Sequence, residues 1–214
     1  PMLTKQTTEL NHSDLTISLS DEKALELENG LSDVLDSSVN VTSWGRFYNK
    51  SVTLYNASGD KQTASIVTAE DESQMTNYFT FRTRQGHNAI SFDDSSVILT
   101  EKTAESLGLS VGDTFEVETS DGSRQTLTLT GITENYVFTR LYLSQAQLKA
   151  LNGGVLPAWN TVYGQTSCPT SADRNALRTD LLACNYVSSV SFIEDTMEFA
   201  DSGSANMIGM LGNA

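Results

Sequence analysis

Ser110 lies in Gly108-Leu109-Ser110-Val111-Gly112, a formal match to the G-x-S-x-G elbow that presents a serine nucleophile. That chemistry needs the serine on a strand-to-helix turn, with its hydroxyl at the head of a sheet and the histidine last in chain order. Here the apolar spacing predicts a helix before the motif and a strand after it. Both histidines, His12 and His87, precede Ser110. The order argues against a nucleophile, and no catalytic residue is assigned. Metal chemistry has no better footing. Two separated histidines and two separated cysteines, Cys168 and Cys184, give no ligand set of zinc spacing. Glu70-Asp71-Glu72 and Asp93-Asp94 lack the alternation of a calcium-binding loop and are read as solvated acidic loops. No Gly-rich phosphate loop is present. The expectation is a chain with no metal, no cofactor and no enzymatic activity.

Trp44, Phe47, Tyr48 and Tyr55 are close in sequence and are candidates for a recognition patch, but alternating strands would bury most of them. Asn11, Asn40, Asn49 and Asn56 each satisfy N-x-[ST], a pattern that arises by chance in a chain rich in Ser, Thr and Asn. Thr170-Ser-Ala-Asp173 reads as a capping box, with Ala176, Leu177, Leu181 and Leu182 as the apolar stripe of the helix behind it. Such a helix holds Cys168 and Cys184 about 20 Å apart at ~1.5 Å rise per residue. A disulfide needs Cα atoms within ~7 Å, so both are expected as free, buried thiols.

These residues are set on regular elements. Leu15–Leu19 reads as a strand. Ser20 caps a helix with acidic Asp21 and Glu22 in its first turn and Ala24, Leu27, Leu31 and Val34 on one face, Gly30 weakening it without breaking it. Alternation marks strands at Val41–Trp44, Ser51–Tyr55 and Thr63–Val67, with a hairpin turn at Ser58-Gly59-Asp60 and a short helix or loop over 71–79. The densest program runs from Ser96 to Leu151. A short strand ends at Thr100, the N-cap of a helix bearing Ala104 and Leu107. Gly108 stops that helix, Val111-Gly112-Asp113 turns the chain, and Asp121-Gly122 joins two alternating strands. A strand over Tyr136–Leu143 and a helix capped by Ser144 complete it. Asn152-Gly153-Gly154-Val-Leu-Pro157 breaks the chain before strand 161–165, helix 171–183 and strand 187–193.

The 214 residues carry 13 Lys and Arg against 27 Asp and Glu, a formal net charge of -14. So acidic a surface repels nucleic acid and anionic headgroups, which excludes nucleic acid as a partner and leaves cationic peptides or metal ions tolerated. No stretch approaches the ~20 apolar residues that span a bilayer. The ends, Pro1 and SANMIGMLGNA, have the look of a piece cut from a longer protein, a natural terminus being the alternative.

Taken in order, Leu107-Gly108-Leu109, Val111-Gly112-Asp113, Gly131-Ile132 and Tyr142-Leu143-Ser144 resemble the extracytoplasmic domain of FtsX/MacB-type ABC transporter permeases. The likeness is strongest over 96–151 and 161–205, and Val187–Met210 is similar to the exit toward the next membrane helix in that family. Residues 36–85 depart from it. The resemblance implies an α+β fold: a porter-like mixed α/β sheet domain (1–87 plus 158–205), a small inserted β-rich lobe with two short helices (88–157), and an exit segment (206–214). It implies structural turns at Gly108, Gly112, Asp113, Asp121, Gly122 and Gly131, and hinges at Gly86 and at Gly153, Gly154 and Pro157. It also implies a non-catalytic domain on the extracellular face of the cell membrane of a bacterium. Its partners would be the transmembrane remainder of the permease, a cytoplasmic ATPase subunit acting indirectly, and an extracellular peptide, lipoprotein or envelope protein. A secreted or surface binding or adhesion module is the alternative.

Overall fold

The computed structural model describes residues 2–20 and 30–195. The expected helix positions Asp21, Glu22, Ala24 and Leu27, and the exit segment beyond 195, lie outside the described residues. Within them the chain is a mixed α/β structure built on a ten-stranded sheet. A short helix α1 (Met2–Lys5) continues into a π-helical turn over Gln6–Leu10 and leads to β1 (Leu15–Leu19). Then come α2 (Leu31–Ser37), β2 (Val41–Tyr55), β3 (Lys61–Ala69) and α3 (Ser73–Tyr78). The middle of the chain supplies β4 (Val97–Thr100), α4 (Glu101–Ser106), β5 (Thr114–Glu118), β6 (Arg124–Thr128), β7 (Gly131–Thr133), β8 (Arg140–Leu143) and α5 (Gln145–Leu151). The chain closes with β9 (Thr161–Thr166), α6 (Ser171–Leu182) and β10 (Val187–Phe192).

The strand order is β10-β1-β9-β2-β3-β8-β4-β7, with β5 beside β2 and β6 beside β5. β2 is the spine. Its first half pairs with β9 (Phe47 opposite Thr161), its last residues with β5 (Leu54 opposite Val117), and β3 runs along its other edge. Two strands were expected where one 15-residue strand stands, because β9 pairs with it up to Phe47 and β3 carries the pairing on from Phe47 to Tyr55. β3 pairs in parallel with β8 over Ser65–Val67, so the strands of 88–157 are hydrogen-bonded into the sheet begun by 1–87.

Paired residues share a face, and the register therefore sorts the core into two layers. One face carries Val52, Leu54, Ile66, Leu99, Val117 and Leu141 under α4 and α5, and further along Leu15, Ile17 and Val162 under α2 and α6. The other carries an aromatic layer, Phe47, Tyr78, Phe79, Phe81, Tyr142 and Tyr163. The distal halves of β2 and β3 thus pack into one core with residues of the 88–157 segment.

Four local expectations need correcting. Gly30 does not lie inside a helix: with φ +78° it is the N-cap of α2, which starts at Leu31. The strand expected over 136–143 begins only at Arg140, because Asn135 Oδ1 accepts the amides of Val137 and Phe138 in a local turn. On α6 the buried residues are Arg174, Leu177 and Leu181, while Ala176 and Leu182 face solvent. Gly131 is no turn: it stands in β7, where an added Cβ would lie 2.7 Å from Ile90 Cγ2. Gly108, Gly112 and Gly122 have positive φ.

Candidate functional site

The G-x-S-x-G match resolves into backbone architecture. Gly108 ends α4 at φ +63°, and the Leu109 amide donates to Ala104 O at 2.9 Å while its side chain enters the core. The Ser110 amide donates to Asp113 Oδ2 at 2.8 Å, and the Gly112 amide to Leu129 O at 2.8 Å. Helix precedes the motif and β5 follows it, the reverse of a nucleophile elbow. His12 Nε2 is bonded to Thr80 Oγ1, and His87 Nε2 lies 3.9 Å from Glu134. In the next turn the hydroxyls of Thr119 and Ser123 and the Ser123 amide all donate to Asp121 Oδ1. Those bonds hold its carboxyl down at about 2.

The carboxylate loops are pieces of local structure. Asp71 Oδ1 accepts from the Ser73 amide and hydroxyl at the start of α3, Asp93 does the same for Ser95, Glu70 pairs with Arg46, and Glu72 accepts the Gln145 amide. Among the described residues no three His, Cys, Asp or Glu side chains are grouped to hold a metal ion. Cys168 and Cys184 are free but half-buried rather than buried, and partial burial pushes both thiols up. Phe47 is core, while Trp44, Tyr48 and Tyr55 are half-buried, Trp44 donating to Asp36. Asn11, one of the N-x-[ST] matches, is buried and closed to glycosylation. Gly86 (φ +78°), Gly153 (φ +69°) and Gly154 (φ +91°) form turns on either side of the 88–157 segment.

Three buried charges were not singled out in the sequence: Glu134, Arg140 and, on α6, Arg174. Glu134, at the end of β7, has a side chain with no solvent exposure. Its carboxylate accepts from Arg82 Nε at 2.8 Å and from the Tyr136 hydroxyl at 2.6 Å, with Lys5 Nζ at 3.5 Å. Burial pushes the carboxyl up, but the Tyr136 hydroxyl and the Arg82 guanidinium outweigh it and hold the group below the ordinary carboxylate range. Arg82 reaches on to Glu9 at 2.6 Å, and the Tyr136 amide donates to Gln6 Oε1 at 2.8 Å. Arg84 binds Glu101 of α4 and stacks over the Tyr136 ring, 4.6 Å from its centroid. Lys5, Gln6 and Glu9 thereby latch the N-terminal helix to the strand end at 134–136.

Six residues later Arg140 is the second buried charge, 7% exposed. Its guanidinium carbon lies 3.6 Å from the centroid of the Phe138 ring, with Phe79, Tyr163 and Tyr142 at 5.4, 5.5 and 6.0 Å. Its hydrogen bond to a side chain is a long one, Nη1 to the Tyr142 hydroxyl at 3.4 Å. The signal for it was the period-two run Phe138-Thr-Arg140-Leu-Tyr142, which puts a cation on the aromatic face. Beside it opens a cavity of about 150 Å³ whose wall includes Asn11, Asp14, Phe138, Arg140 and Tyr163.

No family model and no curated protein matches the sequence. Among solved structures the chain is similar to the periplasmic region of MacB from Actinobacillus actinomycetemcomitans (12% identity, TM-score 0.47, 94% of this chain and 98% of that one). It is similar also to the extracellular domain of the ABC-type transporter YknZ from Gram-positive bacteria (13%, 0.45, 84% and 98%) and to a permease domain from Porphyromonas gingivalis (15%, 0.41, 80% and 82%). No helix among the described residues is long and apolar enough to cross a membrane.

Proposed function

We propose that this chain is the extracytoplasmic domain of a bacterial ABC transporter permease of the FtsX/MacB type. In that role it does no chemistry of its own and couples movement of membrane helices to binding or extrusion of an extracellular ligand or partner. The observation that carries this is the order of four short motifs, each standing at a defined joint of the fold. Leu107-Gly108-Leu109 stops α4, Val111-Gly112-Asp113 opens β5, Gly131-Ile132 begins β7, and Tyr142-Leu143-Ser144 ends β8 with Ser144 capping α5. The Glu134 latch supports it physically. A domain driven from its N-terminal end must carry force into its sheet, and a buried ion-pair cluster is stiffer than a solvated one.

In the same proposal, 1–87 with 158–205 is the base and 88–157 the lobe, and the chain crossings at Gly86 and Gly153–Pro157 bend between them. The partners are the rest of the permease, the ATPase subunit indirectly, and an extracellular peptide, lipoprotein or envelope protein. The full-length gene tests this. Apolar runs of ~20 residues on both sides of the chain, with the domain digested by protease added to intact cells, are the expected result. A secretory leader with no downstream span refutes the proposal and favours a secreted binding module.

A further inference from the structure

The cavity beside Arg140 has walls whose hydrogen-bonding capacity is unspent on both sides. A guanidinium has five N–H donors. Arg140 directs one of them, weakly, to the Tyr142 hydroxyl, and no carboxylate lies within 4 Å of it among the described residues. A cation removed from water is expensive unless something negative meets it, and the aromatic rings around Arg140 offset only part of that.

Asn11 and Asp14, in the same lining, have the complementary deficit. Asn11 is 6% exposed, its Nδ2 donates to Ser13 O, and its Oδ1 is buried with no hydrogen-bond partner. Asp14 receives the Thr166 amide on Oδ1 and the Thr166 hydroxyl on Oδ2, both at 2.9 Å, which leaves an acceptor site on each oxygen. Arg140 and Asp14 form no ion pair although they line the same cavity. Glu194 adds negative charge on the Asp14 side.

We propose that this cavity binds a small zwitterionic amino acid, its carboxylate on Arg140 and its ammonium between Asp14 and Asn11 Oδ1. Phe138 and Tyr163 wall the space for a short side chain, and about 150 Å³ admits a ligand no larger than a few heavy atoms beyond glycine. A simple anion would satisfy Arg140 but face Asp14, and a simple amine would satisfy Asp14 but face Arg140. Only a molecule bearing both charges serves both walls. This site is independent of the permease assignment, since a secreted binding module could carry it equally.

Calorimetric titration of the 214-residue chain with glycine, alanine, acetate and methylamine tests the proposal. Saturable binding of glycine or alanine is expected, at least tenfold tighter than acetate or methylamine. Asp14→Asn, which keeps the bonds to Thr166 by rotation of its hydroxyl, is expected to weaken amino-acid binding about tenfold or more while leaving acetate unchanged or improved. Arg140→Lys, which retains the charge but not the planar fork, is expected to weaken it too, with unchanged circular dichroism as the control for folding. Absence of saturable amino-acid binding to the wild-type chain, acetate binding as tightly as alanine, or full affinity in the folded Asp14→Asn chain would each overturn the site.

Discussion

Glu134→Ala removes the centre of the latch, and its effect can be worked from the contacts. The substitution leaves the Tyr136 hydroxyl and Lys5 without their acceptor and takes from Arg82 its more deeply buried partner. Breaking a fully buried pair by deleting one member costs ~3–5 kcal/mol. Here Arg82 keeps Glu9 at 2.6 Å and retains 14% side-chain exposure, so its charge is not stranded. That reduces the expected loss to about 2–3 kcal/mol. With a urea slope of ~2 kcal/mol/M, the midpoint falls by ~1–1.5 M. Equilibrium urea unfolding followed by circular dichroism reads this directly. The sign with pH follows from the lowered carboxyl: the contribution is present above the ordinary carboxylate range and is lost as pH falls through the folded-state value. The gap between wild type and Glu134→Ala should therefore narrow in acid, and added salt should change it little because the pair is buried. A midpoint shift under ~0.25 M, equivalent to about 0.5 kcal/mol at that slope, would refute the latch as a stabilising contact.

Two further outcomes follow from the same structure. Asp14 is pushed up from 3.8 to about 6, chiefly by burial, so its ionised form is penalised in the folded state. The penalty is fully present above pH ~6 and disappears as pH falls toward the unfolded value. Two units correspond to ~3 kcal/mol, which partial exposure of the group reduces to ~1–1.5. Asp14→Asn should therefore stabilise the chain by that amount at pH 8 and by nothing at pH 4, and an equal effect at both pH values, read by urea unfolding, would contradict the assignment. Gly131→Ala puts a methyl 2.7 Å from Ile90 Cγ2 and should destabilise by ~1–2 kcal/mol, moderated because Ile90 is half-buried. Ile90→Ala in the same chain should recover part of that loss, and a neutral Gly131→Ala would show that the strands part without strain.

Local chemistry was the legible part of this chain. The capping box at Thr170 and Asp173, the helix stop at Gly108 and the Asp121-Gly122 hairpin depend on residues within four positions of each other, and each forms as expected. Apart from the late start of β8, set locally by Asn135, what failed depended on partners far along the chain. The continuity of β2 comes from β9 and β3 running along its edges, which no window of residues reveals. Gly131 was expected as a turn because glycine often marks one, but its cause is Ile90, forty-one residues earlier and held by the bond of its amide to Phe81 O. Arg174 displaced Ala176 from the buried side of α6 because an ion pair with Asp195 lets a charged side chain lie inward. Glu134 was invisible for the same reason, and the run 138–142 that placed Arg140 on the aromatic face did not reveal its burial. Their burial is decided by Lys5, Arg82 and Phe79, residues that sequence distance hides.

Those two charges also explain why one short segment joins the latch to the cavity. Glu134 is tied to the N-terminal helix through Arg82 and Lys5, and the next amide but one, that of Tyr136, is held by Gln6. Asn135 then receives both following amides at 3.0 and 2.8 Å, which makes 135–138 a stiff turn rather than a slack loop. At its far end Phe138 stacks on the Arg140 guanidinium, and Arg140 is itself anchored in the sheet by its amide donating to Thr100 Oγ1 at 3.0 Å. A displacement of the N-terminal helix has little soft backbone to absorb it before it reaches Phe138, the cavity wall. Small shifts become consequential when they must pass through packed, discrete contacts instead of flexible chain. In the proposed role, a ligand seated against Arg140 and a pull on the N-terminal helix would act on the same rigid turn, from opposite ends.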